Sequence, residues 1–186
     1  MTSAIEATRA WLEQAVIGLN LCPFAKAVHV KEQIRWVHSE AADAEALLAD
    51  LVIELQRLAA ADADEIETTL LIHPQVLTAF ADFNDFLGIA DAALEELGLD
   101  GTLQIASFHP HYRFAGTRAN DVANCTNRAP FPTLHLLRES SIDRAVESYP
   151  EAESFFERNI TTLREMDDAA LRALFGERMA GPRKSR

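Results

Sequence analysis

Apolar residues recur at helical spacing along several stretches of the chain. The clearest stripe runs over 76–97 in alternating steps of four and three residues, and Gly98 stands where a helix commonly ends. A capping-box pair, Ser3 and Glu6, opens a predicted helix that ends near residue 19. Further helices are predicted over 39–61, with Ser39 as a cap, and near 140–148, 151–165 and 168–175.

Short apolar runs between these stretches predict four strands. The first ends at Val37, and the runs 68–72 and 103–108 are each stopped by a His-Pro pair. The fourth covers 133–137, after a long irregular stretch. Alternating strands and helices predict an α/β fold, with an approximately four-stranded, mostly parallel or mixed sheet that helices cover and a helical C-terminus.

Composition limits the class of protein. A chain of 186 residues that is 48% hydrophobic is long enough for one core, so we expect a single domain over 1–178 and a disordered basic tail over 179–186. A net charge of −12 argues against nucleic acid or an anionic membrane as partner. The chain has no apolar run of membrane-spanning length, no secretion signal and no disulfide framework, which together predict a cytoplasmic protein. The oligomeric state is left open.

One segment, 105–138, differs in charge from the rest of the chain. It contains four arginines and a single carboxylate, Asp121, which gives it a charge of +3. Such a concentration of cations and amides in an acidic protein predicts a site that binds a small anion. The alternative is that these groups satisfy the backbone of the long loop. The predicted substrate-binding residues are Arg113, Asp121, Asn124, Asn127, Arg128 and His135.

A cysteine and two histidines are the candidate catalytic groups. Cys22 precedes Pro23 and a short helical stretch, so it is predicted at a helix N-cap, where the dipole lowers a thiol pKa; the alternative is a buried, inert thiol. His73 and His109 each end a predicted strand, and ligands of open α/β sheets bind beside strand carboxyl ends. With His111 these histidines form an alternative divalent metal site; otherwise no cofactor is expected.

Four motifs are similar to those of a bacterial family called domain of unknown function 1415. They are Leu-Cys-Pro-Phe-Ala at 21–25, His73-Pro74, the aromatic run 108–114 and the segment 127–139. The resemblance extends from about residue 5 to residue 175. It implies a single-domain protein and no established activity. Its motif residues include Cys22, His73, His109, Asn127, Arg128 and His135.

Three functions follow as hypotheses. The first is an enzyme or enzyme-like domain that acts on a small anionic metabolite, with Arg113 and Arg128 orienting the anion and Cys22, His73 and His109 as catalytic groups. The second is a metal-dependent hydrolytic site. The third is a non-catalytic module that binds a partner protein through the polar loop.

Overall fold

The computed structural model describes residues 3–148 and 155–176, except for the side chains of residues 145 and 148. The helices are α1 Ala4–Trp11, which continues as a π-helix Leu12–Ile17, α2 Ala25–Val30, α3 Ala44–Ala60, α4 Phe80–Glu96, α5 Glu139–Ser148, α6 Phe155–Glu165 and α7 Asp168–Phe175. The strands are β1 Ile34–His38, β2 Thr68–Ile72, β3 Leu103–Phe108 and β4 Thr133–Arg138, and a 3₁₀-helix covers Val122–Asn127.

The four strands form one mixed sheet in the order β1-β2-β4-β3. β1 and β2 are parallel, whereas β4 is antiparallel to both of its neighbours. Because β2 and β3 both run against β4, they run parallel to each other and end at the same edge. The predicted α/β class, the four strands and the helical C-terminus are confirmed, and the sheet is mixed rather than mostly parallel.

Each face of the sheet carries its own hydrophobic cluster. α3 and α4, the crossover helices between parallel strands, pack on one face, and the fully buried Leu51, Phe83 and Leu134 lie there. The opposite face is covered in pieces by α1, the π-helix, the 3₁₀-helix, α6 and α7, which bury Trp11 and Phe175. Strand side chains alternate between the faces, so the register decides which cluster each joins.

Several boundaries differ from the sequence prediction for identifiable reasons. Asp43, and not Ser39, caps α3 by accepting from the Ala46 N–H; the Ser39 hydroxyl instead donates to Asp50. α4 begins at Phe80, four residues later than its apolar stripe, because 73–79 form a turn. Gly98 has the positive φ expected after a helix, at 67°.

The predicted helix near 151–165 is described only from Phe155 onward. The start of that prediction and the predicted tail lie outside the described residues. Within the described part of the chain, no helix is long and apolar enough to cross a membrane.

Candidate binding site at the carboxyl ends of the strands

The edge at which β2 and β3 end gathers the two predicted rim histidines. Ile72 and Phe108, the last residues of these strands, both lie opposite Thr133 of β4. His73 and His109 follow directly, so the predicted location of both imidazoles at one edge is confirmed. Both rings contact Phe83 of α4, at centroid distances of 5.7 and 5.1 Å.

His73 is fully buried and neutral. Its Nδ1 lies 3.0 Å from the carbonyl oxygen of Val76, and because a carbonyl only accepts, the proton is on Nδ1. Nε2 therefore carries a lone pair, and this atom has no hydrogen-bond partner among the described residues. Burial, assisted by the neighbouring His109, lowers the pKa of His73 to about 4, although the hydrogen bond to Val76 acts to raise it.

His109 is also fully buried, and both of its nitrogens are used. Nε2 donates to the carbonyl oxygen of Leu77 at 3.2 Å, and Nδ1 accepts from the backbone N–H of His111 at 3.0 Å. Burial lowers its pKa to about 4. The two histidines thus hold the carbonyl groups of Val76 and Leu77, which stabilises a turn where Leu77 has a φ of 55°.

A cavity of about 630 Å³ is lined by Pro74 and Pro110, the residues that directly follow these histidines. Its floor and walls include four of the seven prolines of the chain, each placed directly beside a strand end or in the segment that enters β4. The hydroxyl of Thr78 and the exposed imidazole of His111 are its polar groups, and Phe131 and the end of α7 add apolar surface. The full lining is Pro74, Thr78, Pro110, His111, Pro130, Phe131, Pro132, Leu174, Phe175 and Gly176.

Asn124, in contrast, lies inside the long loop. Its side chain is completely buried and binds the loop backbone: Oδ1 accepts from the Phe114 N–H at 3.0 Å and Nδ2 donates to the Arg118 carbonyl at 2.9 Å. The Thr117 hydroxyl lies 2.9 Å from the same Oδ1. Asn124 therefore fixes the path of residues 114–118.

Arg128 has a similar position. Its guanidinium is 3% exposed and donates to the carbonyl oxygens of Tyr112 at 3.2 Å and Ala119 at 2.6 Å. Burial lowers its pKa, although the adjacent Cys125 partly opposes this. The cation predicted to orient an anion thus binds its own loop.

Four further groups of the basic segment also bind backbone. Arg113 donates to the Thr117 carbonyl at 2.8 Å, Asp121 accepts from the Ala123 N–H, and Asn127 donates to the Ser107 carbonyl. Arg138 donates to the carbonyls of Leu58 and Ala61 and so caps the end of α3. These interactions correspond to the backbone-satisfying alternative that the sequence left open.

His135 lies within β4, on the face opposite Leu134 and Leu136. Its Nε2 is 2.8 Å from the Thr68 hydroxyl, which donates its one proton to the Leu136 carbonyl, so Nε2 of His135 is the donor. Burial lowers its pKa to about 4. The residue is part of the sheet and does not line the cavity.

Cys22 lies apart from the cavity lining, within the cluster on the second face. The predicted N-cap position is wrong, because α2 begins at Ala25 with Phe24 as its cap. Burial raises the pKa of the Cys22 thiol, although hydrogen bonds from the N–H groups of Phe24 and Ala25 oppose the rise. The predicted lowering of the pKa by the helix is therefore outweighed by desolvation.

The hydrogen bonds of His109 do not favour the alternative metal site at His73, His109 and His111. His109 has no lone pair to give, since one nitrogen donates to a carbonyl and the other accepts from an N–H. In the part of the chain that the structure describes, no three His, Cys, Asp or Glu side chains are grouped to hold a metal ion.

Thr78 and the proline walls were missed from sequence. The sequence did contain a signal for the prolines, because Pro74, Pro110, Pro130 and Pro132 all flank predicted strand ends. Proline has no N–H with which to continue the hydrogen-bonded ladder of a sheet, so the sheet ends there and surface is left open.

Fold and site together define a single-domain α/β protein with a cavity at its strand carboxyl ends. The chain belongs to the family described as protein of unknown function (DUF1415), whose model matches residues 3–173. No curated protein and no solved structure matches the chain significantly.

Proposed function

We propose that this protein binds a small anionic molecule in the cavity at the strand carboxyl ends. The observation that carries the proposal is the cavity itself, at the edge where open α/β sheets bind ligands. Its volume of about 630 Å³ falls within the roughly 300–1,000 Å³ common for small-molecule sites. The prolines and Phe131 offer an apolar wall that changes little in shape on binding.

Two features support an anionic group on the ligand. Thr78 and His111 can donate hydrogen bonds from the cavity wall. In addition, Thr78 directly precedes the N-terminus of α4, whose N-cap residue Ala79 makes no side-chain capping bond. The N-terminus of a 17-residue helix without a side-chain cap favours negative charge nearby. We propose a small molecule rather than nucleic acid because the chain carries a net charge of −12.

The roles of the predicted site residues change in this proposal. His73 and His109 support the cavity from below by holding the 74–78 turn, and Arg128 and Asn124 support it by shaping the loop that carries His111. We propose them as positioning residues. His111, at the cavity surface, becomes the ligand-contacting imidazole.

Thermal unfolding in the presence of small anions tests the proposal. Phosphate, phosphomonoesters and mono-, di- and tricarboxylates are added singly, and a true ligand at a hundredfold excess over Kd is expected to raise the Tm by about 5–10 °C. Thr78→Trp, which places a bulky ring in the cavity lining, is expected to abolish the rise. Ile89→Trp adds the same ring on an exposed part of α4, away from the cavity, and is expected to retain it. Retention of the rise in Thr78→Trp, or no rise with any anion, would contradict the proposal.

A thiol-dependent reaction is a second candidate, favoured by one observation. Although burial raises the pKa of the Cys22 thiol, the backbone N–H groups of Phe24 and Ala25 act in the opposite direction and favour the thiolate. The rate of alkylation by iodoacetamide as a function of pH tests it. A midpoint below the ordinary pKa of about 8.5 supports a reactive thiolate, whereas a higher midpoint excludes that role.

A further inference from the structure

The outer edge of the sheet at β3 has a second surface, unrelated to the cavity at the strand carboxyl ends. β3 is the last strand in the order and pairs only with β4. The N–H of Glu139 donates to the carbonyl of Thr102, which fixes the phase of the antiparallel ladder. Even-numbered residues of β3 therefore bond to β4, and the backbone groups of Leu103, Ile105 and Ser107 point to the open edge.

This open edge is short and closed at both ends. The N–H of Leu103 donates to the Leu99 carbonyl, and the Ser107 carbonyl accepts from the side chain of Asn127. Between them, neither the N–H nor the C=O of Ile105 has a hydrogen-bond partner among the described residues. A window of about three residues is too short for sheet-to-sheet aggregation but long enough for a peptide to add as a strand.

A groove of about 250 Å³ runs beside this window. It is smaller than the roughly 300 Å³ at which small-molecule sites begin, so it suits a side chain rather than a whole metabolite. Leu94, Leu103 and Ile105 form its apolar part. Its rim carries four carboxylates from three parts of the chain: Asp91, Glu95, Asp100 and Glu139.

The four carboxylates lack counter-charges in the described part of the chain. None of them forms an ion pair there, whereas the buried Glu54 pairs with both Arg35 and Arg57. A cationic side chain would thus meet uncompensated negative charge directly beside unpaired strand backbone. The negative charge is complementary to a partner that carries Lys or Arg, and the unpaired strand backbone requires that partner to be extended.

We propose that the β3 edge binds an extended, basic peptide segment of a partner protein. The segment adds to β3 through the N–H and C=O of Ile105. Because side chains of a strand alternate between faces, every second residue of the peptide points to α4, and a Lys or Arg there reaches Asp91 and Glu95.

A fluorescent peptide of sequence Thr-Lys-Val-Arg-Val-Lys-Thr is the probe, titrated with the full chain and followed by anisotropy. Asp91→Asn with Glu95→Gln is expected to weaken binding roughly tenfold, from the loss of two partly exposed charge contacts. Asp85→Asn with Glu96→Gln removes the same charge from α4 outside the groove and is expected to change Kd by less than about twofold.

Two further measurements separate strand addition from general attraction to an acidic surface. The amide resonance of Ile105 is expected to shift on peptide binding, and N-methylation of the central Arg of the peptide is expected to prevent that binding. Absence of peptide binding, equal weakening by the two double variants, or unchanged affinity of the N-methylated peptide would each overturn the proposal.

Discussion

The long loop 109–132 and the cavity beside it are both rich in chemically conspicuous residues, yet they use them differently. In the loop, Asn124 and Arg128 are buried and bound to backbone carbonyl and N–H groups. In the cavity, Thr78 and the His111 imidazole lie at the surface, beside a rigid apolar wall. A loop of this length inside a compact domain must satisfy many backbone groups, and its most polar side chains do so.

Polar side chains indicate a binding site only where they are not already bound to the protein's own backbone. A guanidinium or amide that folds its own loop is not available to a ligand, whatever its charge. Three of the four arginines of segment 105–138, namely Arg113, Arg128 and Arg138, donate to carbonyls of the same chain. The candidate site is therefore the place where polar groups border open space, and the loop is the structure that supports it.

The largest effect is expected from the buried histidines below the cavity. Their pKa values are lowered to about 4 when folded, against about 6.5 when unfolded, so the unfolded chain binds more protons between these values. Stability is fully present above pH 6.5 and is lost as the pH falls towards 4. The loss is about 3 kcal/mol for each of His73 and His109, or about 6 kcal/mol for the pair.

Urea unfolding between pH 5 and 6.5, above most carboxylate titrations, measures this loss. His109→Gln is expected to reduce the slope of unfolding free energy by about 1 kcal/mol per pH unit, because the imidazole of the unfolded chain is only partly protonated over this range. His38→Gln, which makes the same replacement at an exposed residue, is the matched control, and its slope is expected to stay steeper than that of His109→Gln. Equal slopes in His109→Gln and the unmodified chain would show that His109 is not held neutral.

The loop interior is expected to show the next largest effect. Asn124→Ala leaves the Phe114 N–H and the Arg118 carbonyl without their partner in a buried position, at a cost of about 3 kcal/mol. Asn84→Ala, at an exposed position of α4, is expected to change stability by less than about 0.5 kcal/mol. Chemical denaturation of both variants makes the comparison, and similar small effects would mean that the loop does not depend on Asn124.

Substitution by Lys is expected to destabilise the protein to different extents at two arginines of the same loop. Arg128→Lys removes the planar fork that reaches both Tyr112 and Ala119, and we expect a loss of about 2 kcal/mol. Arg113→Lys, at an exposed residue with one backbone contact, is expected to cost less than about 0.5 kcal/mol. A larger cost for Arg113→Lys would reverse the assignment of buried and surface roles.

Much of the fold was predictable from local patterns. β3 and α7 have the predicted bounds, and the glycine after α4 adopts its expected conformation, because periodicity and turn chemistry are local properties. The antiparallel insertion of β4 between β2 and β3 was not predictable. It depends on the return of the chain through the long loop, which is a matter of long-range pairing rather than local preference.

The location of the candidate site was predictable from the sequence, but the hydrogen bonds of its residues were not. Both His73 and His109 directly follow predicted strands, and this position was enough to predict that they lie at one edge of the sheet. Their partners, Val76 and Leu77, are backbone carbonyls of a turn, and residue type says nothing of where a carbonyl points. The cytoplasmic location, the domain boundary and the small anionic partner stay predictions.

The smallest change in stability is expected for a substitution at the cavity surface. Such a substitution gives the most direct test of the central claim, which is that the cavity binds the anion and that the loop supports the cavity. The measurement is the anion-induced rise in Tm for two variants, His111→Ala and Arg128→Lys, with an anion that stabilises the unmodified chain. His111→Ala is expected to keep its unliganded Tm and lose the rise, whereas Arg128→Lys is expected to have a lower Tm and retain the rise. A rise that survives in His111→Ala but disappears in a folded Arg128→Lys would contradict the claim and return the anion site to the loop.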